Sequence, residues 1–316
     1  MSTHRLTEEQ KRKLRLLEPS LKIAAARRDL EECKKLTAEI QNILRPTGHE
    51  TRLMQSKNWL FETAMEVGET DYAIRGFSGV RQKISKSTRL YLEATALLAI
   101  CYLRKRDLDK ARPYMVEALR CEKNIKSESG RSEFKVSLAK RFDEEALLAS
   151  IATDKSEFMD LDKIQSDAAK LIQTKHEDEI LELLGANVPE GALDFVERVH
   201  TESQNLLTYD EKLRLPSPAT FQQKKKLGKG ILAAFQTVIW QSLCDKESEV
   251  YKMWFTNGLQ AVLDKKYLTG AIVSSLAGLK IGIYAIAVYL TSLLIKIGIE
   301  TFCKVYKPNN LMALRR

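Results

Sequence analysis

Few residues in this chain have the type and spacing that chemistry requires. One cluster made only of lysines is Lys224, Lys225 and Lys226 with Lys229. It suits an anionic surface: lipid headgroups, nucleic-acid phosphates or an acidic protein. No arginine fork array and no interleaved aromatic accompanies it, which argues against base-specific reading of a nucleic acid. Gly228-Lys229-Gly230 has the residues of a phosphate-binding loop without its GxxxxGK[ST] spacing, and reads as a flexible basic linker. His176-Glu177 is not followed by a second histidine, because Ile180 occupies that position of HExxH. Asp154, Asp160 and Asp162 lack the glycine and closing glutamate of a calcium loop and read as solvated surface. His49 and His200 stand among charged residues, in a loop and on a helix, and also read as solvated.

The five cysteines (Cys33, Cys101, Cys121, Cys244 and Cys303) are scattered and form no CxxC. Met1–Gln10 is polar and charged, without a secretory pattern. Together these predict free thiols, mostly on buried apolar faces, in a reducing compartment such as the cytoplasm. No cofactor-binding or metal-binding motif is present, and no nucleophile, base and orienter are grouped at motif level. The expectation is a protein that is not an enzyme and needs no cofactor.

Charge is distributed unevenly over the 316 residues. The net charge of +9 arises from 51 basic and 42 acidic residues, yet Phe221–Arg316 alone holds 14 basic and 5 acidic ones. The first 220 residues are therefore balanced, with 51 − 14 = 37 basic and 42 − 5 = 37 acidic. A uniformly basic, histone-like chain is excluded. With 44% hydrophobic and 29% charged residues the chain can fold, and its length suits two domains. Only 14 Gly and 7 Pro disfavour turn-rich β architecture, so an all-α protein is expected.

Helical periodicity organises the first part. Thr7-Glu8-Glu9-Gln10 has the form of a capping box. A short helix is expected near Leu21–Arg27, and a second carries Leu30, Cys33, Leu36, Ile40, Ile43 and Leu44 on one face. Further helices follow at about Thr51–Val67, Asp71–Ile84, Lys86–Arg104 and Leu108–Glu122, joined by short connections as antiparallel hairpins. Leu98, Ala99, Tyr102, Leu108, Ala111, Met115, Ala118 and Leu119 fall at tetratricopeptide spacing, and Leu60, Ala64, Gly68, Ala73 and Phe77 occupy the corresponding places one hairpin earlier. The region from Leu21 to Glu122 thus resembles a tetratricopeptide (TPR)-like array with one good repeat and two degenerate ones. It departs from that family in two ways: Ala73 to Ala111 spans 38 residues rather than about 34, and Arg106 stands where a glycine is usual. A generic stack of α-hairpins would pack in the same way. The resemblance implies a protein partner held on a concave surface near Tyr102, Arg104, Arg106 and Arg112.

Four more amphipathic helices, ending near Leu207, either continue or cap this array. The stretch 211–230, with Pro216, Pro218, Gly228 and Gly230 beside the lysines, reads as a basic linker. It separates a scaffold over 1–210 from a basic, strongly apolar helical module over 231–316. Ile281–Ile295 is fifteen residues without a charge, which as a helix would measure about 22 Å. A bilayer core needs about 20 residues. Extension back to Leu268 gives 28 residues interrupted only by Lys280, a lysine costing about 2.5–3.5 kcal/mol at mid-membrane. Gly270, Ser274, Gly278 and Gly282 recur at every fourth position as a helix-packing stripe. A turn near Gly278–Gly282 would divide the run into two short helices.

Two roles follow for this module. It inserts into a membrane, flanked by Lys265, Lys266, Lys304 and Lys307 with Tyr267, Tyr284, Tyr289 and Tyr306 near the interface, or it forms the buried core of a compact bundle covered by Ile231–Leu263. The first gives an adaptor or effector that binds a protein partner through its array, then associates with an anionic membrane or self-assembles as a homo-oligomer. That layout is similar in arrangement to the sensor-plus-hydrophobic-effector proteins of bacterial defence. The second gives a wholly soluble regulatory subunit whose lysines meet nucleic acid or an acidic protein.

Overall fold

The computed structural model describes residues 4–153, 157–189, 191–244, 246, 248–264 and 266–305. Asp154, Lys265, Tyr306 and Lys307 lie outside them. The chain is all-α, and no strand occurs among the described residues. The described residues divide into two compact units: 4–102 with 109–134, and 103–108 with those from 135 to 305. The second unit therefore begins far before position 231.

The first unit is an array of helical hairpins. Helix α1 (Glu8–Ala26) pairs with α2 (Leu30–Leu44), α3 (Glu50–Glu66) with α4 (Thr70–Lys83), and α5 (Arg89–Arg104) with α6 (Leu108–Leu119). The capping box at Thr7 forms as its residues predict: Gln10 N donates to Thr7 Oγ1 at 3.2 Å, and Thr7 N to Gln10 Oε1 at 2.9 Å. Helix α1 is longer than expected, because it runs through Pro19 instead of starting after it. Proline removes one backbone donor from the ladder, and burial of Leu14, Leu21, Ala24 and Ala25 holds the two halves together.

One local device repeats in all three hairpins. Arg28, Gly68 and Arg106 each adopt a left-handed conformation, with φ of 57°, 89° and 55°. Each is followed by an acidic residue, Asp29, Glu69 or Asp107, just before the next helix. The amides of Asp29 and Glu69 reach back to the carbonyls of Ala24 (3.0 Å) and Ala64 (2.8 Å), closing the end of the preceding helix. The left-handed region costs a side-chain-bearing residue about 1–2 kcal/mol, so glycine at 68 is the unstrained version of the turn. Helix approach is tight inside the second hairpin. A Cβ on Gly76 would lie 2.2 Å from the Phe61 ring, which packs edge-on against Tyr72 and Phe77.

In the second unit, α7 (Glu128–Ile151) leads to α8 (Leu161–Thr174), α9 (Glu177–Ala186), α10 (Ala192–Gln204) and the short α11 (Tyr209–Arg214). Then come α12 (Lys224–Cys244), α13 (Glu249–Asp264, kinked at Gly258), α14 (Tyr267–Gly278), α15 (Tyr284–Ile297) and α16 (Ile299–Val305). The apolar run is indeed divided at a turn, where Lys280 stands exposed with φ 57°. It is broken again at Gly298 (φ 80°), so that the run forms three helices instead of the expected two.

Helix α15 lies in the core of this unit, with Ile286, Ala287, Leu290, Thr291, Ser292 and Leu293 fully buried or nearly so. Much of its cover comes from α8 and α9, not only from the segment 231–263. Ser292 Oγ donates to the Ala168 carbonyl at 3.4 Å, and Tyr284 OH to Asp167 Oδ2 at 3.0 Å. The expected boundary at 210 therefore cuts through a shared core. Burial and the Asp167 carboxylate push the Tyr284 hydroxyl up to about 12.

Candidate functional site

Helices α9 and α12 cross with their backbones in contact. A Cβ on Gly185 would sit 1.9 Å from the Lys224 carbonyl oxygen, and one on Gly228 would sit 1.9 Å from that of Leu181. Glycine is required at both positions because only a bare backbone fits there. Gly228-Lys229-Gly230 is thus not a flexible linker but part of the first turns of α12, held in place by this crossing. The lysines before and after Gly228 are consequently fixed on a helix.

All four lysines singled out from the sequence line one open groove of about 620 Å³. Lys224, Lys225, Lys226 and Lys229 share it with Gln222, Gln223 and Glu182. Lys224, Lys226 and Lys229 are exposed, while Lys225 is half-buried and bonded to Asp178 Oδ2 at 2.5 Å. That hydrogen bond, with the ammonium charge behind it, holds the Asp178 carboxyl below the usual carboxylate range. The groove opens at the N-terminal end of a 21-residue helix, whose unpaired amides add partial positive charge. Four ammonium groups outweigh the Glu182 and Asp178 carboxylates, so the groove favours an anion. Gln222 and Gln223 carry no charge, and only their place in the fold reveals them as lining.

The residues proposed for a partner-binding surface on the array take different places. The Arg104 side chain is 8% exposed, and its Nε and Nη2 both bond to the fully buried carboxylate of Glu145 at 2.9 and 3.0 Å. Arg141 binds the same carboxylate from one turn earlier on α7. Burial would raise the Glu145 pKa, but the two guanidinium charges and their hydrogen bonds outweigh it and hold the carboxyl below its ordinary value. Arg106 caps the C-terminus of α7: Nε donates to the Ala149 carbonyl at 2.7 Å, and Nη2 to those of Ser150 at 2.7 Å and Ala152 at 3.1 Å. Tyr102 stacks on Tyr114 with centroids 5.7 Å apart. Arg112 pairs with Asp109 at 3.6 Å on the surface. The two arginines at the turn bond to α7, while Tyr102 is half-buried and Arg112 exposed in the first unit.

A cluster not anticipated from sequence lies nearby in that unit. The Arg81 guanidinium stands 5.0 Å from the Tyr91 ring centroid and 4.8 Å from that of Tyr114. It donates to Thr95 Oγ1 and Tyr91 OH, each at 2.9 Å, and bonds to Glu117. No short motif announces it, because its members come from α4, α5 and α6.

Three further expectations change. His200 is buried and its Nδ1 lies 2.7 Å from Asp143 Oδ2, so it is an interior partner rather than a solvated side chain. Cys244 and Cys303 form a disulfide, while Cys33, Cys101 and Cys121 remain buried thiols as expected. The small-residue stripe does not pack helices together inside this unit: Ser274 is exposed, and a Cβ on Gly270 would meet nothing within 4 Å. Gly278 ends α14 and Gly282 lies in the following turn, where its carbonyl accepts from Glu157 N at 2.8 Å.

No single helix among the described residues is long and apolar enough to cross a membrane; α15 and α16 pass that test only together, across an 85° bend. No group of three potential metal ligands occurs among the described residues. No protein-family model, curated protein or solved structure matches the chain.

Proposed function

We propose that the protein is a non-enzymatic adaptor, in which a TPR-like hairpin array carries a protein partner and the second unit docks on an anionic phospholipid surface through its lysine groove. The observation that carries this reading is the convergence of Lys224, Lys225, Lys226 and Lys229 on one open groove at the start of α12. The cluster is made of ammonium groups, which act as strongly hydrated point charges and suit diffuse attraction to headgroups more than planar, bidentate recognition. Within the array, the half-buried Tyr102–Tyr114 stack and the exposed Arg112 are the surface proposed to meet a protein partner.

Sedimentation with vesicles tests the docking. Phosphatidylcholine vesicles containing phosphatidylserine are expected to retain the full chain, and pure phosphatidylcholine vesicles are not. Each lysine near such a surface is worth about 1 kcal/mol, so changing all four to Gln weakens retention by about a hundredfold or more. Equal retention of wild type and variant would overturn the reading. Burial of α15 in the core favours the second reading, a regulatory subunit whose lysines meet nucleic acid. Salt-sensitive RNA binding by the full chain, lost in the lysine variant and accompanied by no vesicle retention, would select it.

A further inference from the structure

Helices α15 and α16 are one apolar run folded back at a single residue. Gly298 N bonds to the Leu294 carbonyl at 3.0 Å, completing α15, and Phe302 N bonds to the Gly298 carbonyl at 2.9 Å, opening α16. The helical ladder is thus intact on both sides, and the 85° bend is concentrated at Gly298, whose φ is 80°. Glycine also adopts ordinary helical φ without a Cβ penalty, so rotation at this one residue would straighten the pair. The 14 residues of α15, Gly298 and the 7 of α16 would then make a 22-residue helix. Such a helix measures about 33 Å, against about 30 Å for a bilayer core. Of its charged residues, Glu300 and Lys304 lie in the last six positions, near the headgroups, and Lys296, close to the midpoint, is offset by the ten Leu, Ile, Val and Phe residues of the same helix.

Packing and a covalent bond hold the bend. Ile299 and Phe302 are buried, and Cys303 is bonded to Cys244 at the end of α12. Cys244 is 6% exposed, whereas Cys303 is only partly covered, so Cys303 presents the sulfur that a reductant can reach.

We propose that thiol–disulfide exchange at Cys244–Cys303 unlatches α16 and allows α15 and α16 to join as one membrane-inserting helix. The co-reactant is a small or protein dithiol. Its first thiolate attacks Cys303 Sγ, the Cys244–Cys303 bond breaks, and Cys244 leaves as a thiolate that takes up a proton. The second thiolate of the reductant attacks the mixed disulfide, releasing Cys303 as a thiolate that is likewise protonated. Two electrons and two protons pass to the protein, and the reductant becomes a disulfide. Insertion draws on apolar length and not on charge, so it is independent of the lysine groove.

Flotation of the full chain with neutral phosphatidylcholine vesicles, before and after dithiothreitol, tests this directly. Reduction is expected to raise the floated fraction by about tenfold or more. Cys244→Ser is expected to float without reductant. The lysine-to-Gln variant keeps the redox response, so loss of the groove and loss of the latch give separate signatures. Three results would each overturn the proposal: equal flotation of oxidised and reduced protein, reduction that unfolds or aggregates the chain without flotation, or thiol labelling that finds Cys244 and Cys303 free before reduction. Should Cys244→Ser fail to fold, the reduced wild-type chain alone decides among these outcomes.

Discussion

Two basic clusters stand out in this sequence, and the fold treats them in opposite ways. Arg104 and Arg106 flank the turn between α5 and α6 and are both taken up by α7: one neutralises the buried Glu145, the other, itself exposed, caps the helix end. Lys224, Lys226 and Lys229 begin α12 and stay exposed on a groove. The arginines meet a carboxylate and a row of helix-end carbonyls, acceptors that a planar fork satisfies with several bonds at once. The lysines follow a close helix crossing that fixes their backbone while leaving the ammonium groups in solvent. A basic residue next to a turn is therefore no guide to a partner surface until its acceptors are known.

The largest expected effect comes from breaking the buried side of this comparison. Arg104→Ala leaves the Glu145 carboxylate with Arg141 alone in a fully buried site. The expected loss is about 3–5 kcal/mol of stability, measured by urea denaturation. An undiminished midpoint would show that Arg141 is sufficient.

The pH dependence sharpens the same point. Glu145 has a folded-state pKa below its ordinary 4.5, so its contribution is fully present above that value and is lost as pH falls through the folded pKa. Thermal melts between neutral pH and about pH 3 should show wild type losing stability below pH 4.5, and Glu145→Gln should flatten that slope relative to its own neutral-pH value.

Arg106→Ala is expected to cost less, about 1–2 kcal/mol, since the last carbonyls of α7 can turn to water. Arg106→Gly loses the same cap but relieves the left-handed backbone, so it should fall above Arg106→Ala by about 1 kcal/mol. Identical midpoints for the two variants would show that the turn carries no strain. The smallest effect belongs to the exposed side. The four lysine-to-Gln changes should move the denaturation midpoint by no more than about 0.5 kcal/mol, even as they remove vesicle retention. A large loss there would mean that Lys225–Asp178 is structural.

What proved legible in the sequence was local. The Thr7–Gln10 box, the α2 face ending in Ile40 and Leu44, the second helices starting after Arg28-Asp29 and Arg106-Asp107, and the division of the apolar run near Lys280 depend on residues within one or two turns of each other. The lysine cluster was equally visible, because adjacent residues on one short segment share a neighbourhood in any fold. What escaped was long-range. Arg104 and Glu145 are 41 positions apart, and Cys244 and Cys303 are 59 apart. The crossing of Gly185 over Gly228 joins α9, assigned from sequence to the scaffold, to a segment read as a linker. The stripe of Gly270 and Ser274 had the right spacing for helix packing, yet spacing cannot say whether a second helix comes to that face.

The sequence by itself determined an all-α chain, its early hairpins, and a basic, apolar last third, because helical period, caps and composition act over a few residues. Tertiary structure decided which charges are spent inside, that α8 and α9 share the core of α15, and that the longest apolar run is bent at Gly298 and bonded back to α12. Those outcomes depend on which surfaces meet when distant segments close together, and burial and pairing energies are settled only by that meeting.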